Sequence, residues 1–236
     1  MTNLRILITL VYFERFRMIQ NALNSIKELN YDNWELAFID DGSVDYPGEP
    51  IVREILKDHL HKIKFYNTED SVEVKMERQS RHGLFMTQSV LDSNADLNFV
   101  LCDDDAITPN YLTDLNKYFT ENPTKQWGYS HVIIFDPTSQ DYHNFNIESD
   151  RRLNYYQAPV NPSCLLDSSQ VAWRTDCLRK DNIHWNYPQT GTLDAGFFAK
   201  MYDKYGACDF MNCIGQYKGL FSDQMSHRKD YVIKIH

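Results

Sequence analysis

Three consecutive carboxylates, Asp103, Asp104 and Asp105, directly follow the apolar run LNFVLC at residues 97–102. That run predicts a buried strand, so the carboxylates stand where the chain leaves the core. Adjacent anions repel one another and lose hydration near a low-dielectric interior. A positive partner is therefore expected, and a hard divalent cation that carries a phosphorylated ligand suits such oxygen ligands. The alternative is a solvated acidic turn that ends at Pro109.

Polar residues also follow two earlier predicted strands. Residues 12–15 (YFER) follow the first strand, and residues 40–43 (DDGS) follow the second. Ligands of open α/β sheets bind at the carboxyl ends of the strands, so the three clusters together indicate one ligand site. A carboxylate there accepts hydrogen bonds from a ribose hydroxyl or a base N–H, and Gly42 permits a tight turn. Taken alone, Asp41-Gly42-Ser43 also fits a plain turn or a helix cap.

Strands and helices alternate along the first 120 residues. The apolar runs predict strands at 4–11, 34–39, 63–66 and 97–102, and helical spacing predicts helices at 16–29, 51–60, 81–91 and 111–119. This alternation predicts an α/β fold with a mostly parallel central sheet that is flanked by helices on both faces.

The second half of the chain is less regular. Strands are predicted at 127–135 and 171–173 and a helix at 193–205, whereas residues 136–162 are irregular and the tail from Cys208 has weak periodicity. The sequence has no repeats and no obvious linker. We therefore predict one domain over residues 1–236, with a nucleotide-binding-type half at 1–120 and an irregular half at 121–236 that completes a pocket.

Composition excludes several classes of protein. The net charge of −9 gives no support for nonspecific nucleic-acid binding, so no nucleic-acid partner is expected. Five cysteines without CxxC or Cys/His zinc spacing argue against a disulfide framework and a structural zinc site, which predicts reduced thiols in a cytoplasmic compartment. The apolar stretch at 6–13 is too short to cross a bilayer, and no integral membrane segment is expected.

The order and character of three segments resemble the GT-A-fold glycosyltransferases, in particular the inverting, family 2-like enzymes. These segments are WELAFIDDGSVD at 34–45, SRHGLFMTQSVL at 80–91 and LNFVLCDDDAITPNYL at 97–112. The resemblance implies that Asp41 and the basic Arg81 contact the nucleotide. Phe13 and Arg15 then lie on the family's Thr-Tyr-Asn-Arg loop and bind the donor as well, although this chain has other residues at the Thr and Asn positions.

The resemblance also implies a metal site. The family's DxD-type motif binds a metal-diphosphate, which here assigns Mn²⁺ or Mg²⁺ to Asp103 and Asp105, with His227 of the tail as a third ligand. In an extended segment Asp104 would point the other way and contact the ribose or the donor sugar. The family's pattern fits equally with Asp104 and Asp105 as the matched pair.

The implied reaction is transfer of a sugar from a nucleoside-diphosphate sugar, in this family most often a UDP-sugar, to a hydroxyl of a glycan or another acceptor. The family's catalytic base precedes a helix that ends at a glycine, which assigns the base to Asp194, a residue equally suited to cap that helix. Asp167, near Arg174 in sequence, is the rival candidate. Trp173 and Trp185 are either acceptor-stacking residues or core.

Two other functions remain open from the sequence. A nucleotidyltransferase of related fold is the first, but such enzymes carry a glycine-rich phosphate loop after the first strand, and residues 11–15 contain no glycine. A noncatalytic sugar-nucleotide-binding module is the second. An enzyme of a bacterial surface-polysaccharide pathway and a virus-encoded enzyme in the host cytoplasm both fit the chain.

Overall fold

The computed structural model describes residues 2–68, 75–135, 159, 161, 166–185 and 193–219, with the backbone alone for residues 75–81, 134–135 and 219. The strands are β1 (Ile6–Tyr12), β2 (Trp34–Asp40), β3 (Ile63–Asn67), β4 (Leu97–Cys102), β5 (Asp105–Ile107), β6 (Trp127–Phe135), β7 (Val171–Arg174) and β8 (Asp209–Gly219). The helices are α1 (Phe16–Lys27), α2 (Gly48–Ile55), α3 (Lys75–Asp92), α4 (Tyr111–Glu121), α5 (Asp176–Arg179) and α6 (Leu193–Tyr205), with 3₁₀ turns at Lys57–Lys62 and Ser168–Gln170.

The eight strands form one sheet in the order β3-β2-β1-β4-β7-β6-β8-β5. Four of the seven pairs between these strands are parallel, and each antiparallel pair involves β5 or β7. The predicted α/β fold with a helix-flanked sheet is therefore confirmed. The carboxyl ends of β2, β1 and β4 lie side by side, so the polar segments that follow them meet at one edge.

Helices cover both faces of the sheet, which explains why the central strands read as continuous apolar runs. Helices α1, α2 and α4 pack on one face, against alternate β1 side chains such as Ile6 and Ile8. Helices α3, α5 and α6 pack on the other face, where Leu7 of β1 points. None of the helices in the described ranges is long and apolar enough to cross a bilayer.

Helix α2 begins three residues earlier than predicted. The backbone N–H of Gly48 donates to Asp40 Oδ2 at 2.8 Å, so a carboxylate at the end of β2 starts this helix. A Cβ at position 48 would lie 2.5 Å from the Phe38 ring, which explains the glycine. The helix predicted at 51–60 ends at Ile55, and the 3₁₀ turn Lys57–Lys62 follows it.

The sequence did not predict β5, α5 or β8. Two of these elements are only three and four residues long. Strand β8 is 11 residues long, but its register against β6 shifts between Tyr129 and Val132, and Asn212 has a positive φ of 54°. These irregularities remove the period-two alternation that identifies a strand in a sequence.

Trp173 and Trp185 belong to the core, which settles the choice between core packing and acceptor stacking. Both are almost fully buried, and the Trp185 ring stacks on Phe197 of α6 at 4.1 Å between ring centres. Trp173 lies 5.0 Å from the same Phe197 ring. Helix α6 is thus anchored to the sheet by an aromatic cluster.

Replacing Phe197 with alanine is expected to lower the free energy of unfolding by about 3–5 kcal/mol, because a fully buried aromatic ring leaves a cavity between the two indoles. Denaturant titration followed by tryptophan fluorescence measures this loss. The matched control is Tyr202→Ala on the same helix, where the side chain is 38% exposed and a much smaller loss is expected. Equal losses would contradict the anchoring role of Phe197.

Candidate functional site

The acidic triplet lies in a tight turn rather than in an extended segment. Strand β4 ends at Cys102 and β5 begins at Asp105, so Asp103 and Asp104 form the turn between them. Both carboxylates accept a hydrogen bond from Arg15 Nη1, at 2.9 Å for Asp103 and 3.0 Å for Asp104. The expectation that Asp104 points away from its neighbour therefore does not hold, because strand alternation does not apply within a turn.

The loop after β1 is bound to Asp103 through two predicted donor-binding residues. The Phe13 backbone N–H donates to Asp103 Oδ2 at 3.1 Å, and Arg15 donates to Oδ1. Burial raises the pKa of Asp103 to about 7, and the Arg15 guanidinium opposes this rise. One guanidinium thus compensates two nearly buried carboxylates, and both oxygens of Asp103 have protein partners.

Asp105 has a different partner, Lys218 of β8. The Asp105 side chain is fully buried, and its Oδ2 lies 3.4 Å from Lys218 Nζ. The two residues are directly opposite each other in the antiparallel β5–β8 ladder. Burial raises the pKa of Asp105 well above its usual value, and Lys218 opposes that rise. Lys218 is a site residue that sequence reasoning missed, because it lies in the tail whose periodicity is weak.

Asp167, the rival candidate for the base, also binds Lys218. Its Oδ2 lies 2.8 Å from Lys218 Nζ, while Oδ1 caps the 3₁₀ turn Ser168–Gln170 through the Ser169 N–H. Arg174, which is near Asp167 in sequence, instead donates to the backbone carbonyls of Phe119 and Lys125. Burial acts to raise the pKa of the Asp167 carboxyl, but Lys218 and Ser169 together lower it below its usual value.

The donor atoms around Asp105 fit a hard divalent cation through two carboxylates. Ligand atoms of Cys102, Asp104 and Asp105 all lie within 4.8 Å of one another. Carboxylate oxygens suit Mg²⁺ and Mn²⁺, and oxygens bound to one such ion lie up to about 4 Å apart, twice a metal–oxygen distance of about 2.1 Å. The Cys102 thiol is soft, and burial raises its pKa well above the usual value, so it contributes no ligand. Both oxygens of Asp103 already have protein partners, which favours Asp104 with Asp105 over the predicted pair of Asp103 with Asp105.

Asp41 lies in a second polar group at the end of β2. Its Oδ1 accepts a hydrogen bond from Thr68 Oγ1 at 3.2 Å, and its Oδ2 lies 3.4 Å from His82 Nδ1 of α3. His82 is a polar neighbour of Asp41 that sequence reasoning missed, although it directly follows the basic residue Arg81. Arg81 itself lies in α3, in the part where only the backbone is described.

Glu14 holds the loop after β2 in place. The residue has a positive φ of 54°, and its carboxylate accepts hydrogen bonds from three successive backbone N–H groups, those of Val44, Asp45 and Tyr46. A carboxylate is needed to accept three such bonds, which gives a structural reason for Glu14 where the family has asparagine. The loops after β1 and β2 therefore form one unit.

Asp194 is the second residue of α6 and is half-buried. Its Oδ1 accepts a hydrogen bond from the Ala195 N–H at 2.8 Å, one of the N–H groups at the start of the helix, although Asp194 lies inside the helix rather than at the N-cap position. Helix α6 packs against α3, and a Cβ at Gly83 would lie 3.0 Å from Leu193 Cδ1. The start of α6 therefore lies beside the turn of α3 that carries His82. His227, the predicted third metal ligand, lies outside the described residues.

Comparisons with solved structures identify the fold. TarS of S. aureus (residues 1–349, in complex with UDP) is 14% identical, with a TM-score of 0.67 over 92% of this chain and 61% of that chain. The mannosyltransferase PcManGT of Pyrobaculum calidifontis, in complex with GDP-Man and Mn²⁺, is 13% identical, with a TM-score of 0.66 over 94% of this chain and 59% of that chain. This chain therefore spans about three fifths of these two solved chains and 37% of a longer solved chain of TarS, and the likeness confirms the predicted GT-A fold.

The family of the chain follows from its sequence. No curated protein matches it. The family model described as "Glycosyl transferase family 2" matches residues 7–198, which include β1, the loops after β1 and β2, the acidic triplet and the start of α6. The chain belongs to glycosyl transferase family 2.

Proposed function

We propose that the chain is a glycosyltransferase that moves a sugar from a nucleoside-diphosphate sugar, preferably a UDP-sugar, to an acceptor hydroxyl with inversion, in a reaction that depends on a divalent cation. The observation that carries the proposal is that side chains link the segments after β1, β2 and β4 by hydrogen bonds. Arg15 and Phe13 tie the loop after β1 to the acidic turn, and Glu14 ties it to the loop after β2. Family membership and the bound UDP and GDP-Man of the solved neighbours support this class of donor.

The two polar groups suit the two ends of such a donor. Asp41, with Thr68 and His82 beside it, offers hydrogen-bond acceptors and donors for a base or ribose at the end of β2. The acidic turn lies one strand beyond β1, at the end of β4. There Asp104 and Asp105 would hold a Mn²⁺ or Mg²⁺ ion, which when bound supplies positive charge to the departing diphosphate.

The protein residues have separate tasks in this proposal. Arg15 positions Asp104 and neutralises part of the charge of the turn. Asp194 accepts the proton of the attacking acceptor hydroxyl. Inversion follows when the acceptor attacks the anomeric carbon from the face opposite to the leaving diphosphate, in a single displacement.

A donor screen tests the proposed function. We expect one sugar nucleotide to raise the melting temperature when Mn²⁺ is present, because a ligand at 100 times its Kd stabilises the folded state by about 2.7 kcal/mol. The same donor should release its nucleoside diphosphate slowly in water and faster with an acceptor. UDP-, GDP- and dTDP-sugars are compared with and without Mn²⁺.

Other outcomes of the screen contradict the proposal. Stabilisation without any product would favour a noncatalytic sugar-nucleotide-binding module. Release of pyrophosphate from a nucleoside triphosphate and a sugar phosphate would favour a nucleotidyltransferase. No effect of any sugar nucleotide on melting temperature or hydrolysis would exclude the proposed donor class.

A further inference from the structure

Lys218 joins two elements that are distant in sequence. Its ammonium lies 2.8 Å from Asp167 Oδ2, ahead of the 3₁₀ turn, and 3.4 Å from Asp105 Oδ2, at the start of β5. The Lys218 side chain is only 15% exposed, and Asp105 has no exposure. The ammonium is therefore a nearly buried charge between two carboxylates.

The sheet holds Lys218 at this place. Strand β8 pairs with β5 on one side and with β6 on the other, and the β5 ladder sets Asp105 opposite Lys218. The opposing backbones fix where the lysine side chain begins, and the shorter contact to Asp167 holds its end. Lys218 thus belongs to the framework of the acidic turn.

The charges of the cluster leave room for one further cation. Among the side chains that the structure describes, and when all groups are ionised, the four carboxylates Asp103, Asp104, Asp105 and Asp167 face two cations, Arg15 and Lys218. Two negative charges remain, which one divalent cation balances. The ammonium and that cation repel each other and approach the same buried carboxylate, so each weakens the binding of the other at Asp105.

We propose that Lys218 is the resident counter-ion of the acidic cluster and sets the affinity for a divalent cation by competing for Asp105. This inference rests on the proposed function in assigning the cation to Asp104 and Asp105. Asp167 acts in the opposite direction, because its contact with Nζ is the shorter of the two and draws the ammonium away from Asp105. Lys218 and Asp167 are therefore positioning residues whose substitutions have opposite effects on cation affinity.

The test is the binding of Mn²⁺ alone, without any donor, by isothermal titration calorimetry and by electron paramagnetic resonance of free Mn²⁺. We expect Lys218→Met to bind Mn²⁺ about tenfold more tightly than the wild type, since a like charge beside the cation is lost. Asp167→Asn should bind it about tenfold more weakly, since the ammonium then pairs with Asp105 alone. A residue that only stabilises the fold would lower the affinity in both variants.

The matched control is Lys125→Met. Lys125 Nζ lies 2.7 Å from Asp209 Oδ2, and the lysine side chain is 48% exposed. Loss of this ion pair should leave the Mn²⁺ affinity unchanged. Metal-free Lys218→Met is expected to melt at a lower temperature than the wild type and to gain more from Mn²⁺, because Asp105 loses its counter-ion. If metal-free Lys218→Met does not fold, Lys218→Gln takes its place, because its neutral amide can still donate to Asp167 while the like charge beside the cation is lost, and the same tighter binding of Mn²⁺ is expected.

Two results would overturn the inference. One is Mn²⁺ affinity in Lys218→Met that equals or falls below the wild-type value, and the other is unchanged or tighter binding in Asp167→Asn. Because the Mn²⁺ titration uses no donor, its result does not depend on whether the proposed function is correct. Opposite shifts of Mn²⁺ affinity in the two variants, without any effect of a sugar nucleotide, would support the inference but not the proposed function. Mn²⁺-dependent sugar transfer, with a Mn²⁺ affinity that responds to neither substitution, would support the proposed function and exclude the inference.

Discussion

Asp105→Asn is expected to abolish Mn²⁺ binding and to lower the rate of sugar transfer by at least about a thousandfold. The substitution removes one of two carboxylates that would hold the cation while it keeps the size of the side chain. A catalytic cation contributes several kcal/mol to stabilising the transition state, and each 1.36 kcal/mol is a factor of ten in rate. Calorimetry with Mn²⁺ and steady-state transfer assays at several Mn²⁺ concentrations measure the two losses.

The control for Asp105→Asn is a variant in which another lysine loses its carboxylate partner. Asp209→Asn removes the carboxylate that pairs with Lys125 and should leave transfer near the wild-type rate. In Asp105→Asn itself Lys218 keeps Asp167 as a partner, so the variant is expected to fold. Wild-type dependence of transfer on Mn²⁺ in the folded Asp105→Asn variant would exclude Asp105 as a ligand.

Neighbouring substitutions separate the two possible registers of the metal pair. Asp104→Asn should lose Mn²⁺ binding in the same way as Asp105→Asn. Asp103→Asn should retain it within a few-fold, because both oxygens of Asp103 are already bound by Phe13 and Arg15. The reverse order of these two effects would restore the pair of Asp103 with Asp105.

The sequence was sufficient to predict that three strand-end segments converge, because the signals in the first half are local. The strands β1, β2 and β4 are continuous apolar runs that are buried on both faces, and each ends at a polar segment. Parallel strands place such ends at one edge of a sheet, so the convergence of Arg15, Asp41 and the acidic triplet follows from alternation alone. The hydrogen bonds and ion pairs that these residues make depend on loop conformation and on pairing with distant strands, which the alternation of strands and helices does not predict.

The partners of the triplet were not predictable, because they arise from long-range pairing. Asp105 and Lys218 are 113 residues apart, and their contact depends on the ladder between a three-residue strand and a strand with an irregular register. The sequence leaves residues 103–104 open between an extended segment and an acidic turn, because aspartate also occurs commonly in turns. The contact between Asp167 and Lys218 was not predictable either, because it also depends on where β8 lies.

Asp194→Asn is expected to lower the turnover of sugar transfer by about 10²- to 10⁴-fold, the usual contribution of a general base, while Mn²⁺ and donor affinities stay within about twofold of wild type. The asparagine oxygen can still accept the Ala195 N–H, so this hydrogen bond at the start of α6 remains. A loss of turnover without a loss of binding is the pattern of a group that acts only in the transition state. Turnover at saturating donor, the donor dissociation constant and the unfolding midpoint are measured on the same preparation.

Comparison with Asp167→Asn distinguishes the two candidate bases. Both variants exchange a carboxylate for an amide at the start of a helical turn, so an effect of capping alone would be similar in the two. Asp167 is bound to Lys218, and its loss should act through Mn²⁺ affinity, so that added Mn²⁺ restores transfer. The defect of Asp194→Asn should persist at every Mn²⁺ concentration, because a missing proton acceptor is not replaced by a cation. Transfer at the wild-type rate in Asp194→Asn would reduce Asp194 to a helix cap.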